Sequence, residues 1–424
     1  MEEAKGRHFH YAWVIMFCGC AIVGVNLGVL SYTIGNFYLP LSLELGVGVG
    51  SVSFYQTMCS FASAFTFPTA RKLISKYDLR AVLAAATLSA SLAYAAMSRV
   101  QSLWQVYACA VWMGVSIAFY GGVTVPLMIN NWFKRNNGTV YGICLATAGV
   151  LGIIANPIIN SIVNGISWRA GYMAISIFMA ALLLPVSIFL VRLRPEDKGM
   201  RPYGEKEAME MDKLAGKAPL QGEKKGVPAA AAFKSRAFIA VLLCTPCLGI
   251  IFSVTNHITT YASVIGIGAG MGAYLTSFSL VGGTLGKLTL GRLSDRHGVK
   301  FSLGLAEGCA ALGILSVIAA SKVGTWLLFP AVLIFGYGAS TTSLMGALIP
   351  RAVFGDRDYD RILSYTSMGM SIGSGLVNPV YGYLYDMTGS YIPSFCFAVC
   401  VIAFCITTGF YAISEGKKLM AKYN

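Results

Sequence analysis

The sequence carries little charge for its length. Of its 424 residues only 12% are Asp, Glu, Lys or Arg, whereas soluble globular proteins average about a quarter. Long uncharged runs account for the deficit, and the run from Tyr11 to Pro40 holds no ionisable side chain other than Tyr and Cys. About 20 apolar residues are enough for a helix to cross the hydrocarbon core of a bilayer. The composition therefore excludes an ordinary soluble protein and predicts an all-α polytopic membrane protein.

Groups that carry out chemistry are also scarce. The four His and 18 acidic residues do not cluster at metal-ligand spacings. The sequence shows no phosphate-binding loop and no pairing of a nucleophile with a base. The motif "CTPC", from Cys244 to Cys247, has redox spacing, but it lies in a predicted span, where Cys behaves as a small hydrophobe. We therefore expect no enzymatic activity, no metal, no cofactor and no ATP drive.

Twelve apolar runs are predicted to be membrane spans. They cover residues 11–38, 50–70, 81–98, 103–131, 139–163, 170–191, 237–261, 271–291, 301–320, 325–350, 362–384 and 391–413. All but four of the 32 Lys and Arg residues lie on the side that holds both termini. The exceptions are Arg99, Arg169, Lys322 and Lys287, the last of which lies within a span. The positive-inside rule then makes both termini cytoplasmic, so the net charge of +14 reflects topology and predicts no nucleic-acid partner.

The two parts of the sequence repeat one another. The motif "IIANPIIN" in the fifth span matches "GLVNPVYG" in the eleventh, so Asn156 corresponds to Asn378 and each is followed by Pro. A polar segment rich in Lys, Glu, Gly and Pro separates the copies. We predict a six-helix half over residues 1–191, a cytoplasmic linker over residues 192–236 and a second six-helix half over residues 237–424. Parallel six-helix repeats, related by an axis along the membrane normal, are typical of one class of transporter.

Short motifs connect this architecture with a known family. The loop "GRLSDRHGVK", which begins at Gly291, is similar to the G-x-L-x-D-R-x-G-x-K signature of the major facilitator superfamily. The first-half copy, "ARKLISKYDLR", departs from it, with Ser75 where the signature has Asp and Asp78 where it has Gly. Within the superfamily, "NNWFKRNNGTVYGI" resembles the monocarboxylate and oxalate/formate exchanger branch. So does "GKLTLG", in which a cation lies four residues before the glycine that begins the signature. The resemblance implies a twelve-helix secondary transporter that works by alternating access.

The resemblance also implies a gate at the signature loop. The positions that match the signature are Gly291, Asp295, Arg296, Gly298 and Lys300. Asp295 would accept charge-assisted hydrogen bonds from a neighbouring Arg and face a helix N-terminus, which favours the outward-open state. The first-half copy lacks the matching Asp, so we expect the first-half loop to hold the two halves together less tightly.

One cation lies inside a predicted span. A lysine at the bilayer centre costs about 2.5–3.5 kcal/mol on insertion scales. Either Lys287 faces an aqueous cavity and binds an anion, or its long stem snorkels to the cytoplasmic surface. The branch resemblance implies the first, because this position carries the substrate-binding cation there. The eleventh span offers Ser367, Met368 and Gly369 and no second cation, so we predict a monoanion and disfavour oxalate.

The mode of coupling stays open. The proton-coupled relatives have an acid one turn before the cation, where this sequence has Gly283, and a first-span lysine, where it has Gly35 and Asn36. Obligatory anion exchange and proton symport both remain. Glu307 and His257 are the candidate proton-coupling groups, although Glu307 also fits a structural counter-ion and His257 a polar cap at the end of the seventh span.

By the same resemblance, spans one, four, seven and ten line the cavity. Polar candidates for substrate binding beside Lys287 are Tyr120, Tyr337, Asn26, Tyr32, Gln56, Asn256 and Thr341, with Ser253 and Asn156 as further possibilities. Tyr120 and Tyr337 lead, because both lie near mid-span beside glycines that open space. Each of these residues also fits a structural role, since Asn and Thr form hydrogen bonds between membrane helices.

The sequence thus predicts a monomeric secondary transporter of the cell membrane that moves a small organic monoanion, a monocarboxylate, with or without protons. An efflux carrier for larger amphipathic compounds is one alternative, and it fits the 12% aromatic content. Such carriers have a buried acid in the first half, and none is found in this sequence. A transport-incompetent receptor is a second alternative, but the linker is short for a signalling domain.

Overall fold

The computed structural model describes residues 10–120, 124–133, 137–204, 226–355 and 357–423, and the chain in these ranges is predominantly helical. No β-strand occurs in them, and two isolated bridges pair Phe133 with Tyr203 and Gly226 with Gly355. The helices form twelve spans that alternate in direction, as the sequence predicts. We call the side that holds Ala12 and Met420 the terminal side, and the opposite side the far side.

The spans have the following bounds. The first six are Ala12–Val23 with a π-helix over Gly24–Ser31 and a further helix over Gly35–Leu45; Val49–Lys76; Leu79–Met97; Leu103–Ile117 with Thr124–Trp132; Asn137–Gly165; and Trp168–Pro185 with Val186–Leu190. The second six are Arg236–Ser253 with Val254–His257 and Ile258–Val264; Ala269–His297; Val299–Val323; Leu328–Ala339 with Thr341–Phe354; Tyr359–Thr388; and Ile392–Met420.

Hydropathy separates eleven of the twelve spans into two groups, whereas span four begins with a shorter apolar helix, Leu103–Ile117. Within the described residues, eight segments are long and apolar enough to cross a membrane, and they belong to spans one, three, five, six, seven, nine, ten and twelve. Spans two, eight and eleven are as long but contain more Ser, Thr, Gly and terminal charges. These three spans pack against the opposite half of the molecule, so part of their surface faces protein and can be polar.

Spans one, four, seven and ten are interrupted. A π-helix occupies Gly24–Ser31, a 3-10 segment occupies Val254–His257, and span ten changes helix at Ser340. Span four, predicted as one run over residues 103–131, ends its first helix at Ile117. The breaks change the helical phase along these spans, so the direction of a side chain after a break does not follow from its spacing.

The repeat predicted from the Asn-Pro motifs recurs in the hydrogen bonds. Asn36 donates to Asn156 Oδ1 at 3.2 Å, and Asn256 donates to Asn378 Oδ1, also at 3.2 Å. Each pair joins the first and fifth span of its own half. The matching geometry shows that the two halves are pseudo-symmetric in side-chain contacts as well as in helix order.

Two hydrophobic cores hold the structure together. One is formed by buried residues between Ala12 and Val191 together with Leu280, and the other by residues between Val227 and Ile413. Leu280 on span eight is therefore packed in the core of the opposite half. The boundary between the two cores is where a cavity can form.

Candidate functional site

A cavity of about 490 Å³ lies between the two halves. Its volume is in the range of small-molecule sites, about 300–1,000 Å³. Spans one, four, seven and ten contribute to the wall, as expected, but spans two, three, five, six, eight and eleven contribute as well. The lining extends from Phe37 near the far side to Phe67 and Lys287 nearer the terminal side.

Lys287 lines this cavity and is half-buried. Among the described residues it makes no hydrogen bond and no ion pair. Ser279, Leu280 and Gly283 line the same wall. These positions share one face of an uninterrupted helix with Lys287, because residues three, four and seven or eight apart lie on the same side. The ammonium is the only charged group among the described lining residues.

Close glycine packing fixes that face. A Cβ atom added at Gly282 would collide with the carbonyl of Leu333, and one at Gly336 would collide with the backbone of Ser279. Spans eight and ten are therefore in backbone contact, which only small residues permit. The contact orients span eight and, with it, Lys287.

Four other predicted residues also line the cavity. They are Asn26, Tyr32, Gln56 and Asn256. The Tyr32 ring lies 5.8 Å from the ring of Phe252 in the opposite half. Of the four, Asn256 already donates to Asn378, whereas the side chains of Asn26 and Gln56 have no hydrogen-bond partner among the described residues.

Tyr120, Tyr337 and Thr341 are not among the residues that line the cavity in this conformation. Tyr120 is buried after the break in span four, and its hydroxyl has no partner in the described part of the chain. Tyr337 accepts a hydrogen bond from Thr289 Oγ1 at 3.0 Å, and Thr341 donates to Glu307 Oε1, also at 3.0 Å. The cause is helical phase, because Gly336 and Ser340 take the cavity face of span ten.

The two candidate proton-coupling groups lie outside the cavity wall. Glu307 is fully buried, and its Oε2 atom has no partner among the described residues. Its partner Thr341 follows directly after Ser340, which lines the cavity. His257 is buried near the far side, with Nδ1 3.3 Å from the hydroxyl of Tyr391.

The signature loop is described in part. Gly298 has φ +87°, a left-handed value that favours glycine, and it ends span eight and begins span nine. Gly291 lies in the last turns of span eight, and Arg296 is exposed. Lys300 lies over the ring of Phe410, 4.9 Å from its centroid, within the same half. The side chain of Asp295 lies outside the described residues, so the gate at this loop stays a prediction.

Contacts that the sequence did not predict close the far side. Pro157 and Pro379 lack an N–H, so the carbonyls of Ile153 and Gly375, four residues earlier, lose their helix partners. Ser277 donates to the Ile153 carbonyl at 3.0 Å, and Thr57 donates to the Gly375 carbonyl. Both bonds join opposite halves, and they are related by the pseudo-symmetry.

The Asn residues of the Asn-Pro motifs do not bind these carbonyls. Asn156 Nδ2 donates to Gly152 and Asn378 Nδ2 donates to Ser374, at 2.9 and 2.8 Å. The freed carbonyls are thus left for the other half. We call the two cross-half bonds, Thr57 to Gly375 and Ser277 to Ile153, the carbonyl latches.

Asp386 makes a further cross-half contact at the far side. Its carboxylate accepts hydrogen bonds from the backbone N–H groups of Val49 and Gly50, at 2.9 and 2.7 Å. These are unpaired donors at the N-terminus of span two, where the helix dipole also favours an anion. Because the cross-half bonds lie toward the far side and the lining reaches toward the terminal side, this conformation is closed at the far side.

Comparison with known proteins agrees with the fold. Residues 16–283 and 258–419 match the Major Facilitator Superfamily. Monocarboxylate transporter 12 of Mus musculus is 21% identical over 402 residues, which cover 91% of this chain and 82% of that protein. Monocarboxylate transporter 11 of Mus musculus is 24% identical over 400 residues, which cover 91% of this chain and 83% of that protein.

A solved structure has the same fold at low sequence identity. It is the crystal structure of a bacterial homologue of the human lysosomal transporter Spinster, in an inward-facing and unoccupied conformation. The TM-score is 0.66 at 13% identity, over 97% of this chain and 98% of that one. Together with a family match that covers nearly the whole sequence, the helix order and the central cavity show that this chain belongs to the major facilitator superfamily of transporters and resembles its monocarboxylate branch.

Proposed function

We propose that this protein is a secondary active transporter that moves a small organic monoanion, a monocarboxylate, across the cell membrane by alternating access. The observation that carries the proposal is Lys287, a cation in the cavity wall with no bonded partner among the described residues. The similarity to monocarboxylate transporters supports the same class of cargo. The distribution of Lys and Arg supports cytoplasmic termini, and the cavity then reaches toward the cytoplasm.

The charge in the cavity explains why a monoanion fits. An ammonium between low-dielectric walls is costly while it is unpaired, and a carboxylate beside it offsets that cost through charge-assisted hydrogen bonds. With one cation among the described lining residues, a dianion would keep one uncompensated charge when the cavity closes. The anion thus stabilises the closed intermediate that alternating access requires.

Uptake by proteoliposomes tests the proposal. Labelled formate, acetate, lactate, pyruvate and oxalate are offered to the wild type, Lys287→Ala and Lys287→Arg. We expect uptake of the monocarboxylates, a loss of at least about tenfold in Lys287→Ala, since a charged hydrogen bond contributes about 1.5–3 kcal/mol, and partial activity in Lys287→Arg. Lys418→Ala is the matched control, because Lys418 is exposed and pairs with Glu415 outside the cavity.

Three results would contradict the proposal. Full monocarboxylate uptake by Lys287→Ala would remove the cation from the mechanism. Transport of bulky cationic compounds alone would favour the efflux alternative. Binding of a monocarboxylate without any flux, in vesicles that are otherwise tight, would favour the receptor alternative.

Glu307 provides a test of coupling. The carboxyl is buried, and it contacts Thr341 beside the cavity-lining Ser340, so a proton there can be linked to the cavity through the break in span ten. If transport is proton symport, an inward proton gradient accelerates uptake and Glu307→Gln abolishes that acceleration while keeping anion exchange. If transport is exchange, anion on the trans side of the vesicle membrane stimulates uptake by both the wild type and Glu307→Gln. The proton gradient then has no effect.

A further inference from the structure

The cavity wall is chemically divided between the two halves. The second half contributes Lys287, the apolar side chains of Phe252, Leu280 and Met370, and many small or hydroxyl side chains, among them Ser279, Gly283, Ala339 and Ser340. The first half contributes a wall rich in aromatic and aliphatic side chains. Its rings nearest the far side are Phe37, Tyr55, Tyr94 and Tyr172, which we call the ring cluster.

The ring cluster is a packed, preformed surface. The centroids of Phe37 and Tyr172 are 4.1 Å apart, and those of Tyr94 and Tyr172 are 6.2 Å apart. The hydroxyls of Tyr55 and Tyr172 lie within hydrogen-bond distance, at 3.2 Å, so they satisfy each other. All four side chains are 7% exposed or less. All four rings also line the cavity, so the small exposed part of each ring is what a cavity occupant can contact, and aromatic groups contact such ring edges favourably.

The charge and the ring cluster lie at opposite ends of the cavity. Tyr172 follows the start of span six on the far side by four residues, and Tyr55 lies six residues after the start of span two, also on the far side. Lys287 lies ten residues before the terminal-side end of span eight. Ser279 lies on the same helix face, eight residues earlier, and is therefore about 12 Å nearer the far side at 1.5 Å per residue. The cavity is thus polarised along the membrane normal.

We propose that the cargo is a monocarboxylate that carries an aromatic ring, with its carboxylate at Lys287 and its ring against the ring cluster. This inference rests on the proposed function and narrows the class of acid. A two-carbon or three-carbon acid held at Lys287 does not reach the far end of a 490 Å³ cavity, so the rings there contribute nothing to its binding. A second carboxylate at that end would lie among apolar rings without a cation, which is unfavourable.

Matched acids test the inference in proteoliposomes that contain the full chain. The cargo candidates are propionate, 3-phenylpropionate and the uncharged 3-phenylpropanamide. We expect 3-phenylpropionate to be transported with a KM at least about tenfold below that of propionate, because burial of a ring of this size favours binding by about that factor or more. The amide should neither move nor compete, because it lacks the charge for Lys287.

One variant tests the first-half wall. Ile117 is half-buried, lines the cavity, and lies one turn after Met113 on the first helix of span four. Ile117 lies 14 residues after the far-side start of span four, between the depths of the ring cluster and Lys287. Ile117→Phe takes space that the longer acid occupies between these two points, so the KM for 3-phenylpropionate relative to that for propionate should rise about tenfold. Val115→Phe is the control, because Val115 is 40% exposed and does not line the cavity, and the ratio should stay unchanged.

The outcomes separate this inference from the proposed function. Lys287-dependent transport of propionate without transport of, or competition by, 3-phenylpropionate overturns the inference and leaves the function standing. Equal KM values for the two acids do the same. If no carboxylate is transported, both are wrong. If Ile117→Phe does not fold, the ranking of the three compounds on the wild type still decides.

Discussion

Lys287 and Tyr120 show why some residues of the site follow from the sequence and others do not. Lys287 lies on an uninterrupted helix, where spacing from Gly283 sets its direction, and glycine contacts with span ten hold that direction. Tyr120 follows the end of the first helix of span four. The position of the break depends on tertiary packing, so the spacing of residues could not predict the direction of the Tyr120 side chain. Tyr337 lies outside the cavity wall of this conformation for a related reason, because neighbouring Gly336 occupies the cavity face.

A charged cluster on the far side makes a prediction at the same scale. Hydrogen bonds from Arg169 and Trp168 hold the pKa of Glu44 below its ordinary value. A lowered carboxyl pKa stabilises the fold above the unfolded-state pKa, and the contribution is lost as pH falls through the folded-state pKa. Both partners are more than a third exposed, so the stabilisation is below about 1 kcal/mol.

Glu44→Gln should therefore lower thermal stability in detergent slightly at pH 7, and the difference from wild type should vanish in acid. Arg169→Gln should also destabilise the protein, and the double variant should cost less than the two single changes together, because they share one interaction. A wild-type advantage that persists at a pH where Glu44 is protonated would show that the loss does not come from its charge.

At the scale of elements, proline has a different consequence here from the one expected. In a membrane helix, a polar neighbour such as Asn can satisfy the carbonyl that a Pro leaves without a partner. Instead, each Asn bonds one residue earlier, and the freed carbonyl of spans five and eleven bonds to a hydroxyl on span eight or two. The sequence shows the Pro and the hydroxyls but not their pairing, because that pairing joins residues 124 and 318 positions apart.

The carbonyl latches predict how the conformational equilibrium responds to mutation. Thr57→Val and Ser277→Ala each leave a carbonyl unpaired only while the far side is closed, which costs about 1–3 kcal/mol. The population should shift toward the state open at the far side by about fivefold or more per variant. Hydrogen–deuterium exchange at residues 49–57 and 375–386 should rise for Thr57→Val.

The matched control for the latches is Thr66→Val. Thr66 lies on the same span as Thr57, but its hydroxyl donates to Ala62 in its own helix at 2.7 Å. Exchange at the far side should stay at the wild-type level in this variant. Equal exchange in Thr57→Val and Thr66→Val would show that the latch does not hold the far side closed.

At the scale of the whole molecule, hydropathy and the repeat were sufficient for the fold. Helical content, twelve spans, and two pseudo-symmetric halves all follow from apolar runs and from the Asn-Pro repeat. The interruptions at Ser340 and within span one were not predicted, because a break inside a long apolar run leaves its hydropathy unchanged. The exact bounds of the halves and linker stay predictions.

The orientation of the molecule is also a prediction, and a reporter can measure it. The excess of Lys and Arg on the terminal side predicts cytoplasmic termini. An enzyme reporter fused after Lys422 that is active only in the cytoplasm should be active, and one that requires export should be inactive. The reverse pattern would place the cavity of this conformation on the outside of the cell.

The carbonyl latches also bear on hydration. When the halves part at the far side, the carbonyls of Ile153 and Gly375 have no N–H in their own helices to return to. Water must then replace Ser277 and Thr57, since a bare carbonyl in an apolar cleft is costly. Opening of that face is therefore tied to wetting of the cleft, and conditions that withdraw water, such as high concentrations of an excluded osmolyte, should hold it shut.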